Sequence, residues 1–285
     1  MSAAISALLL QGISSGAWAD GVQVCSSEQL TAIKASLPSG SELTARACKV
    51  LPNQPEVTLI SYIFPDPENE ERNAEWPLTT SVWRVELISQ GKVKQRFEEL
   101  IEEDASIRIA SSSIWLDTAP YLLAKRERTF GVRLDIGDAP SCADGFRSRF
   151  LHLFRQHNGT LQRVMNGASM LHTYIRKGVP CSPEKIDLER GISYIQVLPG
   201  MSNGLHDLRV VTKAKTETVE QDGSSQTSCQ RTLSTTLSFN GHEYPVGTYR
   251  ARSGGSNRPY PALHGKFLRY IQDPIKACLQ QALLL

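Results

Sequence analysis

The chain contains no run of roughly 18 apolar residues, so no segment of it reads as a membrane-spanning helix. It also has no excess of charge of either sign. Its 31 Lys and Arg stand against 29 Asp and Glu, a formal net charge of +2. Nucleic-acid binding draws on a strongly basic surface, and this balance argues against it. The 20 Gly and 15 Pro follow no period, which excludes collagen-like and low-complexity chains. Hydrophobic residues make up 40%, enough to build a core and too many for a disordered chain.

Sequence signatures of common chemistries are missing as well. No two cysteines form C-x-x-C, so neither a zinc ribbon nor a thioredoxin-type redox site is expected. Neither a P-loop nor a dinucleotide-binding glycine fingerprint occurs. His242-Glu243 is followed by Tyr244, Pro245 and Val246, without the second histidine that a zinc protease needs one helical turn on. Gly167-Ala168-Ser169-Met170-Leu171 lacks the closing glycine of a nucleophile elbow, and Ser169 reads as an ordinary strand or turn residue. The six histidines are scattered without ligand spacing. Asp135, Asp138 and Asp144 offer oxygen ligands but not the regular alternation of a calcium-hand loop. No metal and no cofactor is expected.

What is present begins at the amino terminus. Residues 1–19 hold a short apolar stretch followed by Ala17-Trp18-Ala19, small residues at the positions a signal peptidase reads. No Lys or Arg precedes that stretch, so the usual positive amino-terminal region is lacking. The reading is a cleaved signal peptide over 1–19 and one β-rich, disulfide-containing domain over 20–285. Val22-Gln23-Val24 does not suit a lipid anchor on Cys25. The cysteines are six, an even number: Cys25, Cys48, Cys142, Cys181, Cys229 and Cys278. Six cysteines allow 15 pairings, which sequence cannot choose between. Nearest-neighbour closure gives Cys25–Cys48, Cys142–Cys181 and Cys229–Cys278 as the expected set. Disulfides and a signal peptide together predict an exported protein.

Along the chain, Ser26 with Gln29 three residues on forms a capping box for a short helix over 26–37, with Leu30, Ile33 and Leu37 on one face. From there the apolar period is mostly two. Strands are predicted over 57–64, 81–87, 106–110, 114–116, 129–136, 150–154, 161–165, 192–198, 208–218, 233–239 and 242–246. Residues 93–104 are ambiguous. Val93, Phe97, Leu100 and Ile101 have helical spacing, whereas the turn at residues 89–92 favours a returning strand, so the first half is assigned to strand. Asn158-Gly159 and Asn240-Gly241 each predict a tight hairpin. A C-terminal helix over 267–285, interrupted by Pro274, closes the chain. The fold class expected is mainly β: an antiparallel sandwich or stacked sheets with short helices near both ends.

Arg147, Arg149 and Arg155 occupy alternate positions, so a continuous strand would place them on one sheet face as an anion-binding patch. On this reading the protein is a secreted or periplasmic, non-catalytic binding protein: an inhibitor, an immunity-type factor or an envelope accessory factor. Its partner is a protein or an envelope glycan, with no nucleic acid. The alternative is an extracytoplasmic hydrolase of carbohydrate or ester bonds whose site is assembled only by the fold. A structural surface module is a third reading.

Overall fold

The computed structural model describes residues 23–246 except 53, 69–78, 126, 139–141 and 183. The signal peptide and the C-terminal helix expected from the sequence lie outside the described residues.

Helix α1 (Ser27–Ala35) forms where the capping box places it. Ser26 Oγ accepts from the Gln29 amide at 3.2 Å, and Gln29 Oε1 accepts from the Ser26 amide at 2.7 Å. Eleven strands follow among the described residues: β1 (Ala45–Leu51), β2 (Gln54–Pro65), β3 (Thr79–Ser89), β4 (Lys92–Glu103), β5 (Ile114–Ala124), β6 (Glu127–Leu134), β7 (Gly145–His157), β8 (Thr160–Lys177), β9 (Ile186–Ser202), β10 (Leu205–Val219) and β11 (Ser225–Leu237). They make a four-stranded sheet, β1 to β4, and a seven-stranded sheet, β5 to β11. Within each sheet, every strand pairs antiparallel with its chain neighbours. The two sheets pack together, with one helix near the amino terminus.

Alternation explains the layering. On β2, Leu59 and Ile63 face the large sheet, while Ile60, Tyr62 and Phe64 face α1. A strand covered on both faces reads as a continuous apolar run, as 57–64 does. β7 is covered twice as well. Phe150 and Phe154 join the cluster between the sheets, and Leu151 and Leu153 join a second cluster with Tyr121, Leu123, Leu205 and Leu208. The large sheet therefore coils until the end of β5 meets the β9–β10 hairpin. Phe239 and Tyr244 close that second cluster.

Three hairpins use residues with positive φ at both turn positions, as a two-residue turn on twisted strands requires. They are Gln90-Gly91 (52°, 68°), Asn158-Gly159 (49°, 74°) and Asn203-Gly204 (47°, 85°). The structure corrects several local expectations. Residues 92–103 are strand throughout: Phe97 and Ile101 pack on the core, whereas Val93 and Leu100, which completed the helical spacing, are exposed. Residues 106–110 are not a strand; Ile107 makes only isolated bridges to Asp104 and Gly137, yet it and Ile109 are buried. Asn240-Gly241 turns the chain, but 242–246 does not return along β11. Instead the Tyr244 amide donates to the Val164 carbonyl at 2.7 Å, beside β8. From there the Tyr244 ring is fully buried in the second cluster, and its hydroxyl donates to the His206 carbonyl at 2.5 Å.

Cys25–Cys48 and Cys142–Cys181 are bonded, the nearest-neighbour pairs expected. Cys278, the partner expected for Cys229, lies outside the described residues. Two disulfides belong to an oxidising, extracytoplasmic environment.

Candidate functional site at the open end of the large sheet

Strands β8 to β11 meet in a register that puts charged groups from distant parts of the chain on one face. Tyr174 pairs with Glu189, which pairs with Thr216. One row along, His172 pairs with Gly191, Gly191 with Ala214, and Ala214 with Arg231. Residues directly opposite share a face, so His172, Tyr174, Glu189 and Arg231 converge.

Glu189 is the centre. It is 1% exposed, and both of its oxygens are engaged. Oε1 accepts from Arg176 Nη2 and lies 3.5 Å from His172 Nε2, and Oε2 accepts from Arg231. Burial pushes this carboxyl up, but His172, Arg176 and Arg231 outweigh that effect and bring it down to about 2. It is thus a fixed negative charge at neutral pH. Gly191 makes room for the arrangement. A Cβ there would stand 2.0 Å from His172 Cε1, so the imidazole lies across the glycine toward Glu189. The other face of His172 stacks on Tyr174, centroids 5.3 Å apart, and the Tyr174 hydroxyl accepts from Arg147.

Beyond this cluster the β8–β9 and β10–β11 turns border an open groove of about 800 Å³, lined by Lys177, Glu184, Lys185, Glu220, Asp222 and Ser224. A smaller recess of about 430 Å³, lined by Cys181, Ile186 and Val219 among others, adjoins it through Glu184, Glu220 and Gln221. The lining side chains carry both signs of charge, and the recess adds the apolar Ile186 and Val219. The Glu189 cluster lies further along the same strands and does not line the groove; between the two, Thr218 Oγ1 donates to Asp187 at 2.8 Å.

The three arginines singled out in the sequence do lie on one strand, β7, but they do not form one patch. Arg147 abuts the cluster through Tyr174. Arg149 adopts φ 54° and faces Asp135 at 3.5 Å. Arg155 stands at the far end of the strand, where it donates to Gln162 Oε1 at 2.8 Å and lies over the Phe239 ring. Leu151 and Leu153, both buried, separate it from the others. Asp135 and Asp138 face different cations, Arg149 and Arg108, and Asp135 also accepts from Ser148 at 2.5 Å. Among the described residues no three metal-ligating side chains form a group. Ser169 Oγ donates to the Leu171 carbonyl at 2.8 Å, as suits a strand residue.

Sequence reading missed Glu189, Arg176, His172 and Arg231. On β9 the outward-facing Ile192 is 54% exposed, while Glu189, Gly191 and Ser193 face inward and are buried. The hydrophobic alternation of 186–193 therefore points away from the buried face. A signal was available in the lone glycine inside a strand, which marks a close approach.

No protein-family model matches the chain, and no curated protein and no solved structure matches it either.

Proposed function

We propose that the protein is a non-catalytic binding protein of the periplasm or the extracellular space, an inhibitor, immunity-type or envelope accessory factor. Its partner, a protein or an envelope glycan, is received by the groove between the β8–β9 and β10–β11 turns. The observation that carries this reading is an open, mixed-charge groove at the ends of strands that a buried ion cluster ties together. Arg176 and Arg231 are committed to Glu189, which ties β8, β9 and β11 together behind the turns, and the rim offers Lys177, Lys185, Glu184, Glu220 and Asp222 for contact. Loops held on a stiff sheet are the usual place for recognition. The disulfides support an exported location.

The test is site-specific photocrosslinking in the exported fraction. A crosslinker at Ser224 or Glu184 is expected to capture one discrete partner, and Lys177→Glu with Lys185→Glu is expected to cut that yield about tenfold, the equivalent of about 1.4 kcal/mol of binding. A crosslinker at Gly91, on the turn between β3 and β4 of the small sheet, is the control. Capture from Gly91 alone, or none from the groove positions, overturns the proposal.

A further inference from the structure

The two disulfides joined entirely within the described residues stand in opposite surroundings. Cys25 and Cys48 are each 6% exposed, inside the cluster between α1 and the small sheet. Cys142 and Cys181 are both exposed. Both of their backbones lie in the left-handed region, at φ 59° and 58°, which L-residues other than Asn and Asp seldom adopt. The bond joins the approach to β7 with the β8–β9 turn, and that turn is one wall of the groove. Cys181 itself lines the inner recess, which gives a reagent a route to it.

We propose that Cys142–Cys181 is a thiol–disulfide exchange site, opened by a dithiol reductant while Cys25–Cys48 stays closed, and that its opening frees the β8–β9 wall of the groove. Exposed or strained disulfides are the exchangeable ones, and here exposure and backbone strain coincide on one bond. The thiolate of the dithiol attacks Cys181 Sγ from the recess. The S–S bond breaks, Cys142 leaves as a thiolate and takes up a proton, and a mixed disulfide joins Cys181 to the reductant. The reductant's second thiol, as thiolate, then attacks its own sulfur in that mixed disulfide, and Cys181 leaves and is protonated in turn. Two electrons pass to the protein, and the dithiol becomes a disulfide. The consequence for partner binding rests on the groove reading above; the exchange chemistry does not.

Folded full-length protein is titrated with dithiothreitol at neutral pH, alkylated and mapped by peptide mass. Cys142 and Cys181 are expected to label at about a tenfold lower dithiol concentration than Cys25 and Cys48, with the far-UV circular dichroism unchanged. Amides of 184–186 and 220–224 are expected to exchange faster in the selectively reduced protein. Equal or earlier labelling of Cys25 and Cys48 overturns the proposal, as does a Cys142–Cys181 bond that opens only when the fold is lost. Selective reduction without faster exchange in those two segments overturns the wall-opening half. A Cys142→Ser, Cys181→Ser variant that folds should show the fast exchange without reductant; if it does not fold, the titration still decides. Loss of groove crosslinking in the oxidised protein strikes the binding reading alone.

Discussion

His152 shows how much one buried side chain can impose. It is 6% exposed, its ring centroid lies 4.7 Å from that of Trp83, and its Nδ1 has no hydrogen-bond partner among the described residues. Burial first, and the charge of Arg163 second, hold its pKa well below 6.5, so the folded protein keeps the imidazole neutral. In the unfolded chain it takes a proton near pH 6.5. Below that pH the unfolded state binds a proton that the folded state refuses. Stability then falls by about 1.4 kcal/mol for each pH unit until the folded pKa is reached. Above pH 6.5 this residue contributes no pH dependence. Urea unfolding at pH 7.5 and 5.5 should show His152→Phe losing about 1 kcal/mol less than the native protein over that interval; equal losses would refute a neutral buried His152. Glu189 behaves in the opposite sense. With its carboxyl at about 2 instead of 4.5, its contribution is complete above pH 4.5 and lost as the pH falls through about 2. Glu189→Gln keeps the shape but leaves two arginines without their carboxylate, and should cost about 3 kcal/mol in urea unfolding at pH 7. Glu98→Gln, which removes the 47% exposed partner of Arg84, should cost less than about 1 kcal/mol. Similar losses for both would mean that the cluster is no tighter than a surface pair.

The elements were legible in the sequence where a local signal decides them. Ser26 and Gln29 announce α1, and Asn158-Gly159 announces the β7–β8 turn, because a cap and a turn each depend on a few adjacent residues. Asn203-Gly204 carries the same signal and joins two strands that were recognised only in part, over 192–198 and 208–218. What stayed illegible depends on register between distant segments. Val93 and Leu100 mimic a helix face because β4 is an edge strand, where apolar residues tolerate exposure. Gly191 has meaning only once His172 is laid across it by the pairing of β8 with β9. Of the candidate site, Arg147 alone was anticipated, since alternation along β7 is local and the meeting of β8, β9 and β11 is not. Gly137 is a similar case, and a sharper one. A Cβ there would stand 1.7 Å from the Arg147 carbonyl oxygen, a backbone atom that cannot swing aside. Gly137→Ala should therefore cost about 3 kcal/mol, the upper range for overpacking. Gly159→Ala meets open space and only the strain of φ 74°, about 1 kcal/mol. Thermal melts of the two variants rank them; a milder effect at Gly137 would show that the 135–138 segment can move off β7.

At the scale of the whole molecule, the sheets are joined at more than their apolar faces. Gln23 lies between them: its carbonyl accepts from the Cys48 amide at 3.2 Å, and its side chain makes two bonds to the Leu116 backbone, at 2.6 and 2.8 Å. This clasps β1 to β5. On the other side Arg163 of β8 grips Glu99 of β4 with both terminal guanidinium nitrogens and lies over the Phe97 ring at 4.8 Å. Cys25–Cys48 anchors the first clasp, since it fixes the chain two residues from Gln23. Its loop of 23 residues should contribute about 3 kcal/mol by restricting the unfolded chain. Replacing both cysteines with Ala should lower stability by that amount, and Arg163→Met should cost about 1 kcal/mol more, because the two clasps share no partner and their effects add. In a chain that keeps Trp83 and has its other three tryptophans replaced by Phe, fluorescence reports the space between the sheets, where Trp83 is buried, and far-UV circular dichroism reports the strands. With one clasp left the sheets remain linked, so the two signals should still lose their structure at one urea midpoint in each single variant. With both clasps weakened in one chain, the apolar interface carries more of the coupling, and any separation of the midpoints should appear in that combined variant first. A split already present in the native protein would show that the sheets unfold separately and that the clasps do not couple them.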